Sequence, residues 1–94
     1  MKIVVEDSAY QWFCQEYGVQ PNEFVRFYVR YGGSSPVNTS YSLAISMEPP
    51  KEIGIQTVVE GVTFYIETDD LWYLKEHNLR VTVDLNGELA YKYE

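Results

Sequence analysis

The chain has almost none of the side chains that catalytic and metal sites usually need. Its 94 residues include one cysteine, Cys14, and one histidine, His77. A single cysteine cannot form a disulfide within the chain, and one cysteine with one histidine does not have the spacing of a zinc site. No EF-hand, P-loop or dinucleotide-binding pattern is present. We therefore expect a protein without enzymatic activity, and the cysteine usage favours a reducing compartment such as the cytoplasm.

Basic residues are also scarce. Seven lysines and arginines stand against 14 aspartates and glutamates, which gives a net charge of −7. Binding to nucleic acids or to anionic membranes depends on clustered positive charge, so this balance argues against both kinds of partner. No run approaches the roughly 18 apolar residues of a membrane span, and the first residues lack the pattern of a signal peptide. The composition indicates a cytoplasmic protein that binds neither nucleic acid nor membrane.

What the sequence does contain is aromatic residues, which make up 16% of the chain, and alternating apolar patterns. The alternation predicts about seven short strands, and the hairpin signals are Glu60-Gly61 and Asn86-Gly87. Helical spacing predicts one helix over residues 8–17 and a second that begins at Thr68. We predict one domain over residues 1–94. Its fold class is mainly β (α+β): a compact β-sandwich of mostly antiparallel strands with two short helices.

One strand, from Glu23 to Tyr31, has two different faces. Because side chains alternate along a strand, one apolar set is predicted to face the core: Val25, Phe27, Val29 and Tyr31. The opposite set is predicted to be at least partly wet: Phe24, Arg26, Tyr28 and Arg30. These two arginines could hold an anion or a carboxylate partner, or could simply form outward ion pairs.

A long polar connection, "RYGGSSPVNTSY" over residues 30–41, separates this strand from the next. A plain hairpin needs only two turn residues, whereas this loop contains two glycines, several serines and a proline. Polar loops on a rigid scaffold often carry function. We therefore take the loop and the neighbouring strand face as the candidate binding region: Arg26, Tyr28, Arg30, Gly32, Gly33, Ser34 and Ser35.

The order of these motifs resembles the HesB/IscA-like family, the A-type iron–sulfur cluster assembly proteins. The parts that carry the resemblance are "VRFYVRYGGSS" and, later, "GVTFYIETDDLWYL". The matching positions are Arg30, Gly32, Gly33 and Ser35 in the loop region, and Leu71 and Leu74 in the later helix. The match covers about residues 1–84. It implies a HesB-like β-sandwich and a cytoplasmic role near iron–sulfur cluster biogenesis.

The resemblance also implies iron or an iron–sulfur cluster as the cofactor, which the family holds with three cysteines. Ser34 stands where the family has its loop cysteine, and no Cys-Gly-Cys pair is present. The resulting interpretation is a branch of the family without these cysteines. Such a protein would be a non-catalytic binding or accessory protein whose partners are iron–sulfur assembly components.

Two alternatives follow from other residues. In the first, the chain carries iron or an iron–sulfur cluster with unusual ligands, such as Cys14 from each of two chains in a homodimer. In the second, the chain is a small anion-binding module that uses Arg26 and Arg30.

Overall fold

The computed structural model describes residues 1–94 and contains seven strands and two helices. The strands are β1 (Ile3–Val5), β2 (Phe24–Tyr31), β3 (Tyr41–Ser46), β4 (Ile53–Val59), β5 (Val62–Glu67), β6 (Leu79–Val83) and β7 (Leu89–Tyr93). The helices are α1 (Asp7–Tyr17) and a 3-10 helix (Thr68–Leu74). The predicted mainly β class, the number of strands and the two helices are confirmed. Neither helix has the length and apolar character needed to cross a bilayer.

The strands form two sheets that enclose one core. Sheet one has the order β1-β6-β7, and sheet two has the order β3-β2-β5-β4. Three pairs are antiparallel, while β1 with β6 and β2 with β5 are parallel. Each parallel pair joins strands that are far apart in sequence. Short hairpins can produce only the antiparallel pairs, so the pairs that connect distant segments are the ones that give the sheets their mixed character.

The centre of the core is a group of three phenylalanines. Phe13 of α1 lies against Phe27 of β2 and Phe64 of β5, with ring centroids 6.1 and 5.1 Å away. All three side chains are fully buried. Helix α1 supplies Phe13 because Ala9 and Phe13, four residues apart, lie on the same side of the helix. The helix ends at Gly18, whose left-handed conformation allows its N–H to donate to the carbonyl of Cys14.

The faces of β2 follow the predicted alternation over most of the strand. Val25 and Phe27 are fully buried and Val29 packs against the core. Tyr31 is the exception: the prediction that it faces the core is wrong, since 82% of the residue is exposed. The reason is its position at the end of β2, where the strand extends past the core and no element of the other sheet covers it.

The two predicted hairpins are present. Glu60 and Gly61 both have positive φ, as the tight turn between β4 and β5 requires. Gly61 also lies so close to Pro21 that a Cβ would be 3.0 Å from the proline ring. Asp84 closes the other turn, where its carboxylate accepts hydrogen bonds from the N–H groups of Asn86 and Glu88.

Replacing Phe13 with alanine should cost about 3–5 kcal/mol of the free energy of unfolding, because it leaves a cavity at the centre of the phenylalanine group. Urea unfolding followed by circular dichroism measures this loss. Tyr17→Ala, one turn later on the same helix, is the matched control because 44% of Tyr17 is exposed. If the two substitutions cost the same, Phe13 is not the centre of the core.

Candidate functional site

Three aromatic residues form a half-exposed surface at one end of sheet two; we call Tyr31, Tyr41 and Trp72 the aromatic surface. Tyr31 and Tyr41 are cross-strand partners on β2 and β3, and their rings meet edge to face at 5.6 Å. The ring of Tyr41 meets Trp72 in the same way at 5.2 Å. Tyr31 and Trp72 are 82% and 52% exposed. Edge-to-face contacts fix the three rings relative to one another, and Tyr31 and Trp72 stay accessible while Tyr41 is half-buried.

Trp72 reaches this position because the 3-10 helix replaces a strand. Strand β5 pairs with β2 only from Phe24 to Arg26, and the chain then turns into the 3-10 helix. A longer β5 would have supplied a backbone carbonyl to accept the N–H of Val29. Instead, this N–H donates to the carboxylate of Asp70 at 3.4 Å. The side chain of Asp70 therefore anchors the helix against the second half of β2, and Trp72 lies next to Tyr41.

Arg26 provides a second anchor for this helix. Its guanidinium forms ion pairs with Glu48 at 2.7 Å and Asp70 at 3.4 Å, and it lies over the ring of Tyr28. Burial opposes the charge of Arg26, but the hydrogen bond and charge of Glu48, together with Asp70, outweigh this effect and raise the pKa of the guanidinium. The arginine is thus already neutralised by carboxylates of its own chain.

The glycine-serine loop folds back on the end of β2. Gly32 and Gly33 both have positive φ, a backbone conformation that residues with a side chain rarely adopt. The N–H of Gly32 donates to the carbonyl of Ser40, and the hydroxyl of Ser42 donates to the carbonyl of Gly32 at 2.9 Å. Arg30 donates from Nε to that same hydroxyl at 3.3 Å. The base of the loop is therefore closed by hydrogen bonds.

A cavity of about 190 Å³ lies beneath the loop. Its lining is uncharged, with serine hydroxyls on one side and tyrosines on the other: Ser34, Ser35, Pro36, Ser42, Leu43, Tyr73, Tyr91 and Tyr93. The hydroxyls of Tyr73 and Tyr93 are hydrogen-bonded to each other at 2.8 Å. Burial raises the pKa of both Tyr91 and Tyr93, so the phenols are neutral at physiological pH.

The predicted binding residues do not converge on one point. Arg26 and Tyr28 lie in the ion-pair cluster with Glu48 and Asp70, whereas Arg30 lies at the base of the loop. The structure brings Arg30, Gly32 and Ser42 together, and Ser34 and Ser35 line the cavity. A binding role for the loop residues stays a prediction. In the anion-binding interpretation, which used Arg26 and Arg30, the guanidinium of Arg26 is already paired with Glu48 and Asp70.

Cys14, the candidate metal ligand, lies on α1 with part of its side chain against the core. No group of three histidine, cysteine, aspartate or glutamate side chains is placed to hold a metal ion. Within one chain, Cys14 therefore belongs to no such group of three ligands.

The sequence patterns give no functional role to Tyr41 or Trp72, the other two members of the aromatic surface. They place Trp72 on the second helix and Tyr41 on a strand, and indicate nothing further for either. The available signal is the helix "TDDLWYL", in which Leu71 and Leu74 already account for the inward face. Two aromatic residues remain, Trp72 and Tyr73; the structure buries Tyr73 fully and leaves Trp72 52% exposed.

Comparison with known proteins identifies the relatives of this chain. A Bacillus subtilis protein named pyruvate dehydrogenase inhibitor is 38% identical, and the match covers the whole of both chains. An uncharacterized protein of Staphylococcus haemolyticus is 35% identical over 97% of this chain and 96% of its own, and one of Staphylococcus aureus is 32% identical over 97% of both. No family model matches the chain.

These relatives correct the family interpretation. Membership of the HesB/IscA-like family, and with it the iron–sulfur assembly function and partners, is wrong, because a relative 38% identical to this chain is named pyruvate dehydrogenase inhibitor. A glycine-serine loop after a strand that ends in arginine is too common a feature to identify that family.

Glu67, where β5 meets the 3-10 helix, should make the stability depend on pH. Its carboxylate accepts the N–H groups of Glu52 at 2.9 Å and Lys51 at 2.8 Å, and these bonds outweigh burial and lower the pKa of Glu67 from its usual 4.5. Only the folded protein favours the ionised form so strongly. The free energy of unfolding should therefore decline as pH falls from 4.5 through the lowered pKa.

Glu67→Gln should lower the free energy of unfolding at neutral pH and make its decline below pH 4.5 shallower, as urea titrations at a series of pH values would measure. Glu16→Gln, at an exposed position of α1, is the control and should leave the profile unchanged. An unaltered profile in Glu67→Gln would show that this carboxylate does not clamp the start of the 3-10 helix.

Proposed function

We propose, since this chain belongs to the same family as the Bacillus subtilis protein named pyruvate dehydrogenase inhibitor, that it is a regulatory protein that binds pyruvate dehydrogenase and lowers its activity. It does so by protein contact and performs no reaction of its own. The contact is made by the aromatic surface and the adjoining glycine-serine loop. The observation that carries this assignment is the fixed set of Tyr31, Tyr41 and Trp72, in which Tyr31 and Trp72 are exposed.

The composition of this surface supports a protein contact. Tyrosine, tryptophan and arginine are enriched among the residues that contribute most binding energy in protein interfaces. Here Tyr31 and Trp72 are exposed, and both belong to these enriched types. The edge-to-face contacts already hold the rings in place, so a partner loses little side-chain entropy when it covers them.

The distribution of charge also supports this contact. Residues 31–47 contain no charged side chain, although the whole chain has a net charge of −7. Protein interfaces typically have a core depleted in charge and a more polar rim. The acidic remainder of the surface would speed association with a basic region on the enzyme, while the uncharged segment supplies the buried contact.

The shortage of catalytic side chains supports inhibition by occupation of a surface. The single cysteine, Cys14, lies on α1, whereas the single histidine, His77, lies in the connection between the 3-10 helix and β6. Inhibition of this kind is reversible and requires one inhibitor at each enzyme site. It depends on the affinity of the surface alone.

Trp72→Ala and Tyr31→Ala should each weaken binding to the pyruvate dehydrogenase complex of Bacillus subtilis. The loss expected for an exposed anchor that becomes buried is at least about 2 kcal/mol, or roughly 30-fold in Kd. Calorimetry or biosensor titration with the purified complex measures this change, and the rate of pyruvate oxidation should recover in parallel.

Leu85→Ala is the matched control. Leu85 is fully exposed in the turn between β6 and β7, at the opposite end of that hairpin from Tyr93. The Leu85→Ala variant should bind and inhibit pyruvate dehydrogenase as the unaltered chain does. Failure of the unaltered chain to bind any component of the complex would contradict the proposed function. Normal binding by both aromatic variants would contradict the assigned surface.

A further inference from the structure

Strand β3 is an open edge of sheet two. It pairs with β2 on one side, and no strand lies on the other. In an antiparallel pair, hydrogen-bonded and non-hydrogen-bonded residue pairs alternate, and the hydrogen bond from Gly32 to Ser40 shows which pairs are bonded. Ser42, Ala44 and Ser46 therefore direct their backbone groups towards β2. The N–H and C=O groups of Tyr41, Leu43 and Ile45 therefore point outward from the sheet.

This edge lacks the features that usually prevent strand pairing. Natural edge strands are commonly protected by lysine, other charges, proline or a β-bulge. The sequence of β3, "YSLAIS", contains no charge and no proline, and its pairing with β2 is regular from Tyr41 to Ser46. The opposite edge strand, β4, has such a feature, because its register shifts between Ile53 and Ile55.

The edge is also self-complementary. Antiparallel pairing of β3 with a second β3 around Leu43 places Tyr41 opposite Ile45 and Ser42 opposite Ala44. Apolar residues then meet apolar residues on one face, and small residues meet on the other. No like charges come together, although each chain has a net charge of −7. The uncharged segment is the region where two such acidic chains can approach with least repulsion.

We propose that two copies of this chain form a dimer through antiparallel pairing of their β3 strands, with the two-fold axis at Leu43. This register uses the outward backbone groups of Tyr41, Leu43 and Ile45 in both copies. The two four-stranded sheets then become one continuous sheet. The dimer also brings two aromatic surfaces together, one from each copy, because Tyr41 belongs both to β3 and to that surface.

Light scattering during size-exclusion chromatography over a range of concentrations tests the assembly. The expected result is a mass of twice 11.0 kDa that falls towards 11.0 kDa on dilution. A mass of 11.0 kDa at every concentration would overturn the proposal and leave the edge to another partner. This measurement uses the chain alone, so it is independent of binding to pyruvate dehydrogenase.

Ala44→Lys should raise the dissociation constant of the dimer by at least about tenfold, because an edge lysine opposes pairing. In the proposed register, the introduced ammonium group of one copy also lies opposite Ser42 of the other, whose neighbour on β2 is Arg30. Ala44→Gln, of similar length but uncharged, is the matched control and should change the constant by less than about threefold. Equal effects of the two variants would contradict this interface.

Mixed disulfide formation tests the register. In a Cys14→Ser background, a chain with Ser42→Cys is mixed with one that carries Ala44→Cys. Position 42 of one copy would face position 44 of the other at about 4.5 Å between Cα atoms, which is within the range for a disulfide. The two copies of position 42, and likewise the two copies of position 44, would be about 7–8 Å apart. The mixture should cross-link and the separate chains should not. Equal cross-linking in all three samples, or none in any, would overturn the register.

Discussion

The carboxylate of Asp70 occupies the place beside β2 that a longer β5 would fill. It accepts the N–H of Val29 and pairs with Arg26, so it satisfies one backbone group and one charge at the point where regular pairing stops. An unpaired N–H at this position would cost free energy, because buried donors need acceptors. This one contact allows the strand to end, the 3-10 helix to begin, and Trp72 to lie beside β2 and β3.

The aromatic side chains connect this exposed region to the interior. Trp72 meets Tyr41 on its outer side and Tyr73 on its inner side, and Tyr73 joins Tyr93 of the other sheet through a hydroxyl–hydroxyl bond. The accessible rings are thus supported by buried ones. A surface built in this way is rigid without disulfides or metal ions, and the chain has only one cysteine with which to make either.

The sequence predicted the local elements well, because they follow from local patterns. Alternation located β2, and the hairpin signals at Glu60-Gly61 and Asn86-Gly87 located two turns. Pairing between distant segments was not predictable in the same way. Parallel contacts of β1 with β6 depend on how the whole chain packs, and no local signal specifies them. The exposed position of Tyr31 has the same origin, since alternation gives the face of a residue but not how far the core extends beneath it.

The candidate site was predicted only in part. The binding role predicted for the loop stays a prediction, and two of its serines, Ser34 and Ser35, line a cavity. The importance of the second helix was missed, because it depends on Asp70 reaching across to a backbone group 41 positions earlier in the chain. The family assignment failed for a related reason: it rested on short motifs, whereas the relatives are identified by similarity along the whole chain.

The absence of charge from residues 31–47 also has a colloidal consequence. At neutral pH the repulsion between the acidic remainders of two molecules slows their encounter through the edge of β3. Near the isoelectric point of about 4.5 this long-range repulsion vanishes. A regular, uncharged strand edge would then be the most adhesive part of the molecule. Mildly acidic, low-salt solutions are accordingly the conditions in which ordered association of the folded chain, including crystal growth, should compete best with dispersion.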